Sequence, residues 1–236
     1  MKSYRLSYIA FFIALSIGFG SSSAALKIPG SANIMNSNTL EKKSPTVSTL
    51  CIGRFKVNVP VGSRMSGGNY KYEFIGIEPV KSTTSEEFEK EVDEREAKLK
   101  LTKHKVEPSL LRISIRPQDA SRILAFWEQP FITAVINLEG YRWVKGSRFQ
   151  LKSEVSNNKQ ELGMTRMREA LTHVRPRAET EIPIEPGYCF AGGFIASSDW
   201  HNEEALVQID IAGHPDAFVS VWTYPLASHK HDKPLL

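Results

Sequence analysis

Hydrophobic positions recur along the chain at two periods. Their alternation predicts strands, a helix, more strands, a second helix and a closing set of strands. Phe55, Val57 and Val59 alternate with Arg54, Lys56 and Asn58, the period of a half-buried strand, and Pro60 ends it. Residues 62–68 read as a turn or loop. Tyr70, Tyr72, Phe74 and Gly76 then share one face of a second strand, expected to pair with the first. Thr84-Ser-Glu-Glu87 has capping-box spacing and predicts a helix over 85–103. Phe88, Val92, Ala97 and Leu99 give it a narrow apolar stripe. The many charges beside that stripe read as a solvated face, with acids crowding its start and Lys98, Lys100 and Lys103 its end, as the helix dipole favours.

Strand patterns return over 111–115, 123–127, 131–137, 141–144 and 148–155, and Leu138-Glu-Gly140 offers a tight turn between the third and fourth. Connections this short predict an antiparallel sheet. Trp127, Trp143 and Phe149 read as core or sheet-face aromatics. Leu162, Met164, Met167, Leu171 and Val174 lie at helical spacing and predict a second helix over 156–174. Pro176, Pro183 and Pro186, with Gly187, Gly192 and Gly193, then predict an extended linker that brings Cys189 to the start of a new strand. Further strands follow at 194–195, 205–212 and 217–224, the last two joined by Gly213-His-Pro-Asp216. The fold class is α+β, antiparallel sheets with packed helices. An N-terminal α+β domain is expected over 49–177 and the beginning of a second over 178–236.

The N-terminus changes how the rest is read. Lys2 and Arg5 precede an apolar run over 6–19, and Ser22-Ser-Ala24 before Ala25 is a small-residue cleavage site. Residues 1–24 therefore read as a secretory signal peptide, cut between Ala24 and Ala25; the apolar run is shorter than the roughly 20 residues of a membrane span. Residues 25–48, rich in Ser, Asn, Thr and Lys, read as a flexible mature N-terminus. Removing Lys2 and Arg5 from the 30 basic residues leaves 28 against 26 acidic ones, so a nucleic-acid partner is not expected. The leader implies export from the cytoplasm. In an oxidising compartment the two cysteines, Cys51 and Cys189, are expected to bond, the alternative being two buried free thiols.

Catalytic and metal motifs are sparse. G-x-S-x-G, H-E-x-x-H and phosphate-loop patterns are missing, and no local motif ties His104, His173, His201 or His214 to an acid or a nucleophile. His229 and His231 form a lone H-x-H, which lacks the further ligands of a zinc site. No catalytic residue, cofactor or metal is expected. A triad assembled in space rather than in sequence stays open.

Two stretches carry a resemblance. Cys51-Ile-Gly-Arg-Phe-Lys-Val-Asn-Val-Pro60 and Arg175-Pro-Arg-Ala-Glu-Thr-Glu-Ile-Pro-Ile-Glu-Pro-Gly-Tyr-Cys-Phe-Ala-Gly-Gly-Phe-Ile195 resemble the signature blocks of the immunity proteins that neutralise type VI secretion lipase effectors. The resemblance runs from about Thr49 to the end of the chain, which is shorter at its C-terminus than members of that family. It implies a non-enzymatic periplasmic binder that covers a cognate lipase effector, with no catalytic residues of its own and no membrane span once the leader is removed. Residues 62–70 and the Arg-rich second helix with its sequel, Arg166, Arg168, Arg175 and Arg177, are the candidate contact regions, because they combine polar exposure with Tyr or Arg. Two other functions are compatible with the residues: an envelope module that binds a small ligand, and a hydrolase with a spatially assembled site.

Overall fold

The computed structural model describes residues 47–117 and 119–225 and the backbone of 12–14. The expected cleavage point at Ala24–Ala25, most of the expected flexible N-terminus and the His229/His231 tail lie outside the described residues. Of the leader, Phe12–Ala14 is described, as a strand (β1) at one edge of the main sheet.

The first block is a ribbon of two strands, β2 (Val47–Ile52) and β3 (Phe55–Pro60), turning at Gly53 and Arg54. Sequence alternation had placed one strand there; the turn is hidden because Ile52 and Phe55 flank it with no break in apolar spacing. The expected loop over 62–68 is mostly strand, since β4 (Arg64–Tyr72) begins within it. β4 does not pair with β3. Its neighbours are β5 (Ile75–Ile77) and β14 (Glu203–Asp210), so residues more than a hundred positions apart share its two edges. The short β6 (Lys81–Ser82) then leads into α1 (Ser85–Leu101), where the capping box forms as the spacing requires: Thr84 Oγ1 accepts from Glu87 N–H and the Glu87 carboxylate accepts from Thr84 N–H, each at 3.2 Å.

β7 (Leu111–Ile115), β8 (Ser121–Trp127), β9 (Val135–Val144) and β10 (Ser147–Ser156) continue the sheet, whose order is β1-β15-β14-β4-β5-β10-β9-β8-β7, with β6 also on β10 and β15 spanning Phe218–Thr223. The turn expected at Leu138-Glu-Gly140 does not exist. β9 runs straight through it, and the chain reverses instead at Lys145 and Gly146, both with positive φ. Gly140 is required by packing: a Cβ there would lie 2.4 Å from Met167 Sδ of α2 (Gln160–His173), which crosses this face of the sheet. Gly140→Val is accordingly expected to cost about 1–3 kcal/mol of overpacking. The readout is the thermal midpoint, and an unchanged Tm would mean that α2 lifts away without penalty.

β8 is buried on both faces, which its last five residues, Ile123-Leu-Ala-Phe-Trp127, show as an unalternating apolar run. Ile123, Ala125 and Trp127 join the main core beneath α2, whereas Leu124 and Phe126 pack with Phe88, Val92 and Leu99 of α1 on the opposite face. The charged side of α1 is not simply solvated. Arg122 of β8 donates to Glu89, Asp93 and Glu96, and Arg95 makes a two-pronged pair with Glu139 at 2.8 and 2.7 Å.

The expected linker is structured too. β11 (Val174–Pro176), β12 (Gly187–Phe190) and β13 (Gly193–Ala196) form a small antiparallel sheet in the order β11-β13-β12. It packs with the ribbon on the α2 face of the main sheet, where Leu50, Ile52, Tyr188, Phe190 and Ile195 fill one core with Tyr70, Tyr72 and Val207. Arg177, buried, donates to the carbonyls of Gly193, Phe190, Ala178, Glu179 and Glu181, so one side chain replaces the ladder that the prolines deny this segment. Cys51 and Cys189 are joined by a disulfide, beside paired main-chain bonds between Gly53 and Cys189 at 2.9 and 2.7 Å.

Candidate functional site

The hairpin between β4 and β5 turns on two residues, Glu73 and Phe74, with φ of 53° and 65°. Tight β-hairpins need positive φ at both central positions and normally use Asn-Gly, so a Glu-Phe pair stores strain that its surroundings must hold. They do so through the glutamate. Its N–H donates to the Asn202 carbonyl at 2.9 Å, one carboxylate oxygen is ion-paired with Arg166 Nε of α2 at 3.2 Å, and the other lies 2.5 Å from His201 Nδ1. Phe74 is left 60% exposed, with the Arg166 guanidinium 5.8 Å from its ring centre.

The loop after β13 completes the arrangement. Ser197 Oγ is 2.9 Å from His201 Nε2, and the His201 ring lies 5.0 Å from the buried Tyr72 ring. Burial raises the pKa of the Tyr72 phenol, against a smaller opposing effect of the Ser197 side chain. A carboxylate accepts and cannot donate, so the His201 proton belongs on Nδ1 toward Glu73, leaving Nε2 to accept from the Ser197 hydroxyl. The Ser197 main chain is held on both sides: its N–H donates to Pro186 O at 3.1 Å, and its carbonyl accepts from Arg54 Nη1 at 2.9 Å. Arg54 also forms a buried pair with Glu203 at 2.7 Å and lies over the exposed Trp200 ring. These groups border an open cleft of about 540 Å3 whose lining includes Tyr72, Glu73, Arg166, Ser197 and His201.

The contact regions expected from sequence divide. Arg166 stands at this site and Arg168 is exposed nearby on α2, whereas Arg177 is consumed inside the fold and Arg175 pairs with Glu181 and Glu185. Residues 62–70 lie along β4 away from the Glu73–Phe74 turn, with Ser66 bonded to Asp210 at 2.7 Å. Glu73, Ser197 and His201 carried no sequence signal, because their association depends on β4 and the post-β13 loop meeting across the sheet.

Comparison with known families decides the relationship. The model of the Tle cognate immunity protein 4 N-terminal domain matches residues 48–180, and that of the C-terminal domain of the same family matches 181–236. The chain belongs to the Tle cognate immunity protein 4 family. Solved structures with this α+β fold include the apo immunity protein TplEi of type VI secretion from Pseudomonas aeruginosa (TM-score 0.69, 23% identity, covering 78% of this chain and 62% of that one). A Tle4–Tli4 complex gives TM-score 0.69 at 22% identity, covering 78% and 61%, and TplEi bound to an "L" peptide gives 0.60 at 21%, covering 78% and 60%. This member of the family thus spans about three fifths of the length of those chains. No curated protein is similar enough in sequence to match. No helix among the described residues is long and apolar enough to cross a membrane.

Proposed function

We propose that this chain is a periplasmic immunity protein that binds a cognate type VI lipase effector and blocks it by covering its surface. The observation that carries the proposal is the match of both family models, which together account for residues 48–236. The Cys51–Cys189 bond supports an oxidising compartment, and the reading of 1–24 as a leader cut between Ala24 and Ala25 supplies the route there. Blocking of this kind requires no chemistry on the effector, only affinity and exclusion.

The Glu73–Phe74 turn is the contact element the geometry favours. Binding energy concentrates in a few aromatic and arginine anchors, and an anchor already held in its bound shape loses less entropy on association. Phe74, exposed on a turn braced by Arg166 and His201, has those properties. Residues 25–236 mixed with the cognate type VI lipase effector are expected to co-purify with it and abolish its activity. Phe74→Ala is expected to weaken the complex about tenfold or more, as loss of an anchor worth about 1.4 kcal/mol or more does. Parent affinity in that variant would move the contact elsewhere on the fold. A folded parent that neither binds nor inhibits would overturn the immunity role.

A further inference from the structure

We propose that Ser197, His201 and Glu73 form an acyl-transfer relay, so that this chain hydrolyses small esters at a site separate in chemistry from effector binding. The three side chains stand in the order that activates a serine: hydroxyl, imidazole, carboxylate. Ser197 Oγ is 2.9 Å from His201 Nε2, and His201 Nδ1 is 2.5 Å from Glu73 Oε1. The first distance suits a base taking a proton from a nucleophile, and the second is a short contact through which a carboxylate fixes the tautomer of that base.

Each member is held from outside the relay. Arg166 holds the second oxygen of Glu73, the Tyr72 ring packs beside the His201 ring, and Pro186 O and Arg54 grip the Ser197 main chain. His201 and Glu73 are only about a fifth exposed, which shields the relay while the cleft leaves Ser197 approachable. One donor stands next to the serine for the charge that develops on an attacked carbonyl: the Ser198 N–H, which has no acceptor among the described residues.

The chemistry balances without a cofactor. Ser197 Oγ attacks the ester carbonyl carbon while His201 Nε2 takes the hydroxyl proton, and the imidazolium is paired with Glu73. The tetrahedral oxyanion collapses, the carbon–oxygen bond to the alcohol breaks, and His201 returns its proton to that alcohol. Water, deprotonated by His201, then attacks the acyl-serine, and the acid leaves with Ser197 reprotonated. One ester and one water become one acid and one alcohol. The cleft is open and bordered by Arg166, Glu169, His173 and Asp199 as well as Tyr72 and Pro186, so it offers no long apolar channel. The substrate class is therefore short-chain acyl esters rather than membrane lipids.

The test uses residues 25–236 with the disulfide intact. A fluorophosphonate is expected to add to Ser197, as located by peptide mass spectrometry, and p-nitrophenyl acetate to be hydrolysed about a hundredfold faster than by the Ser197→Ala variant, the scale of general-base assistance. His201→Gln is expected to lose both labelling and turnover, with circular dichroism and Tm reporting that each variant stays folded. Ser197→Ala removes one oxygen from a half-exposed loop, so its fold is secure even if the histidine variant fails. No adduct at Ser197, or hydrolysis equal in parent and Ser197→Ala, overturns the proposal and leaves the three groups as a brace for the Glu73–Phe74 turn. Effector binding is read in a separate assay, so either reading can fail alone.

Discussion

Serine at both Cys51 and Cys189 is expected to lower the free energy of unfolding by about 4 kcal/mol. The bond spans a sequence separation of 138, and in the chain-entropy account a closed loop of that length removes about 5 kcal/mol of freedom from the unfolded chain. Native strain and residual unfolded structure reduce the figure. The loss should be large here because Cys189 lies in the small β11-β13-β12 sheet and Cys51 in the ribbon, so the bond ties together two peripheral elements that share the α2 face of the main sheet. Urea titration of parent and double-serine chains measures it. A larger m-value is expected alongside the lower midpoint, since the unbridged unfolded chain exposes more surface. A difference below about 1 kcal/mol, or alkylation of both thiols in the unreduced parent, would mean that the bond does not form in solution.

Arg122→Ala is expected to cost about 3 kcal/mol, at the lower end for breaking a buried charge pair. The Arg122 side chain is 3% exposed and donates to three carboxylates on successive turns of α1: Glu89 at 2.7 Å, Asp93 at 2.8 Å and Glu96 at 3.1 Å. Removing it leaves Glu96, itself 8% exposed, with Lys100 and Arg116 at the rim. Pairing Arg122→Met with Glu96→Leu should recover much of the loss, because no charge is then stranded.

The same cluster sets the acid limb. The hydrogen bond from Arg122 holds Asp93 below the usual carboxylate range. Burial alone would raise Glu96, but hydrogen bonds from Lys100 and Ser114 and the charges of Lys100 and Arg122 bring it below. A carboxyl whose folded pKa is depressed contributes stability above its unfolded pKa and loses it as pH falls through the folded one. Stability of the parent should therefore fall below about pH 4, where free carboxyls begin to protonate. Arg122→Ala should fall less steeply there, having less to lose. Parallel acid slopes would show that Arg122 does not set these carboxyls.

What could be read from sequence was what neighbouring residues decide among themselves. The α1 start needs only Thr84 and Glu87, three apart, and the β8 run of apolar residues announces a strand covered on both faces. Positions whose reason lies far along the chain were misread. Gly140 looked like a turn because glycine usually marks one, but its missing side chain makes room for Met167. The proline-rich segment after α2 looked like a linker because prolines cannot complete a ladder; Arg177 supplies the donors, and no local pattern shows a guanidinium turned inward. The candidate site was illegible for the same reason. Glu73 and His201 are 128 positions apart, and only the pairing of β4 with β14 brings their ends together.

That pairing also constrains how the molecule comes into being. β4 lies between β5, its immediate successor, and β14, which leaves the ribosome more than a hundred residues later. One edge of an early strand therefore waits, unsatisfied, for nearly the whole chain to arrive, and the cysteine at 51 waits as long for its partner. Folds closed by such distant contacts form slowly and expose strand edges meanwhile. Completion of the fold should accordingly lag synthesis, and dependence on disulfide formation and on chaperones should be greatest before the late strand docks.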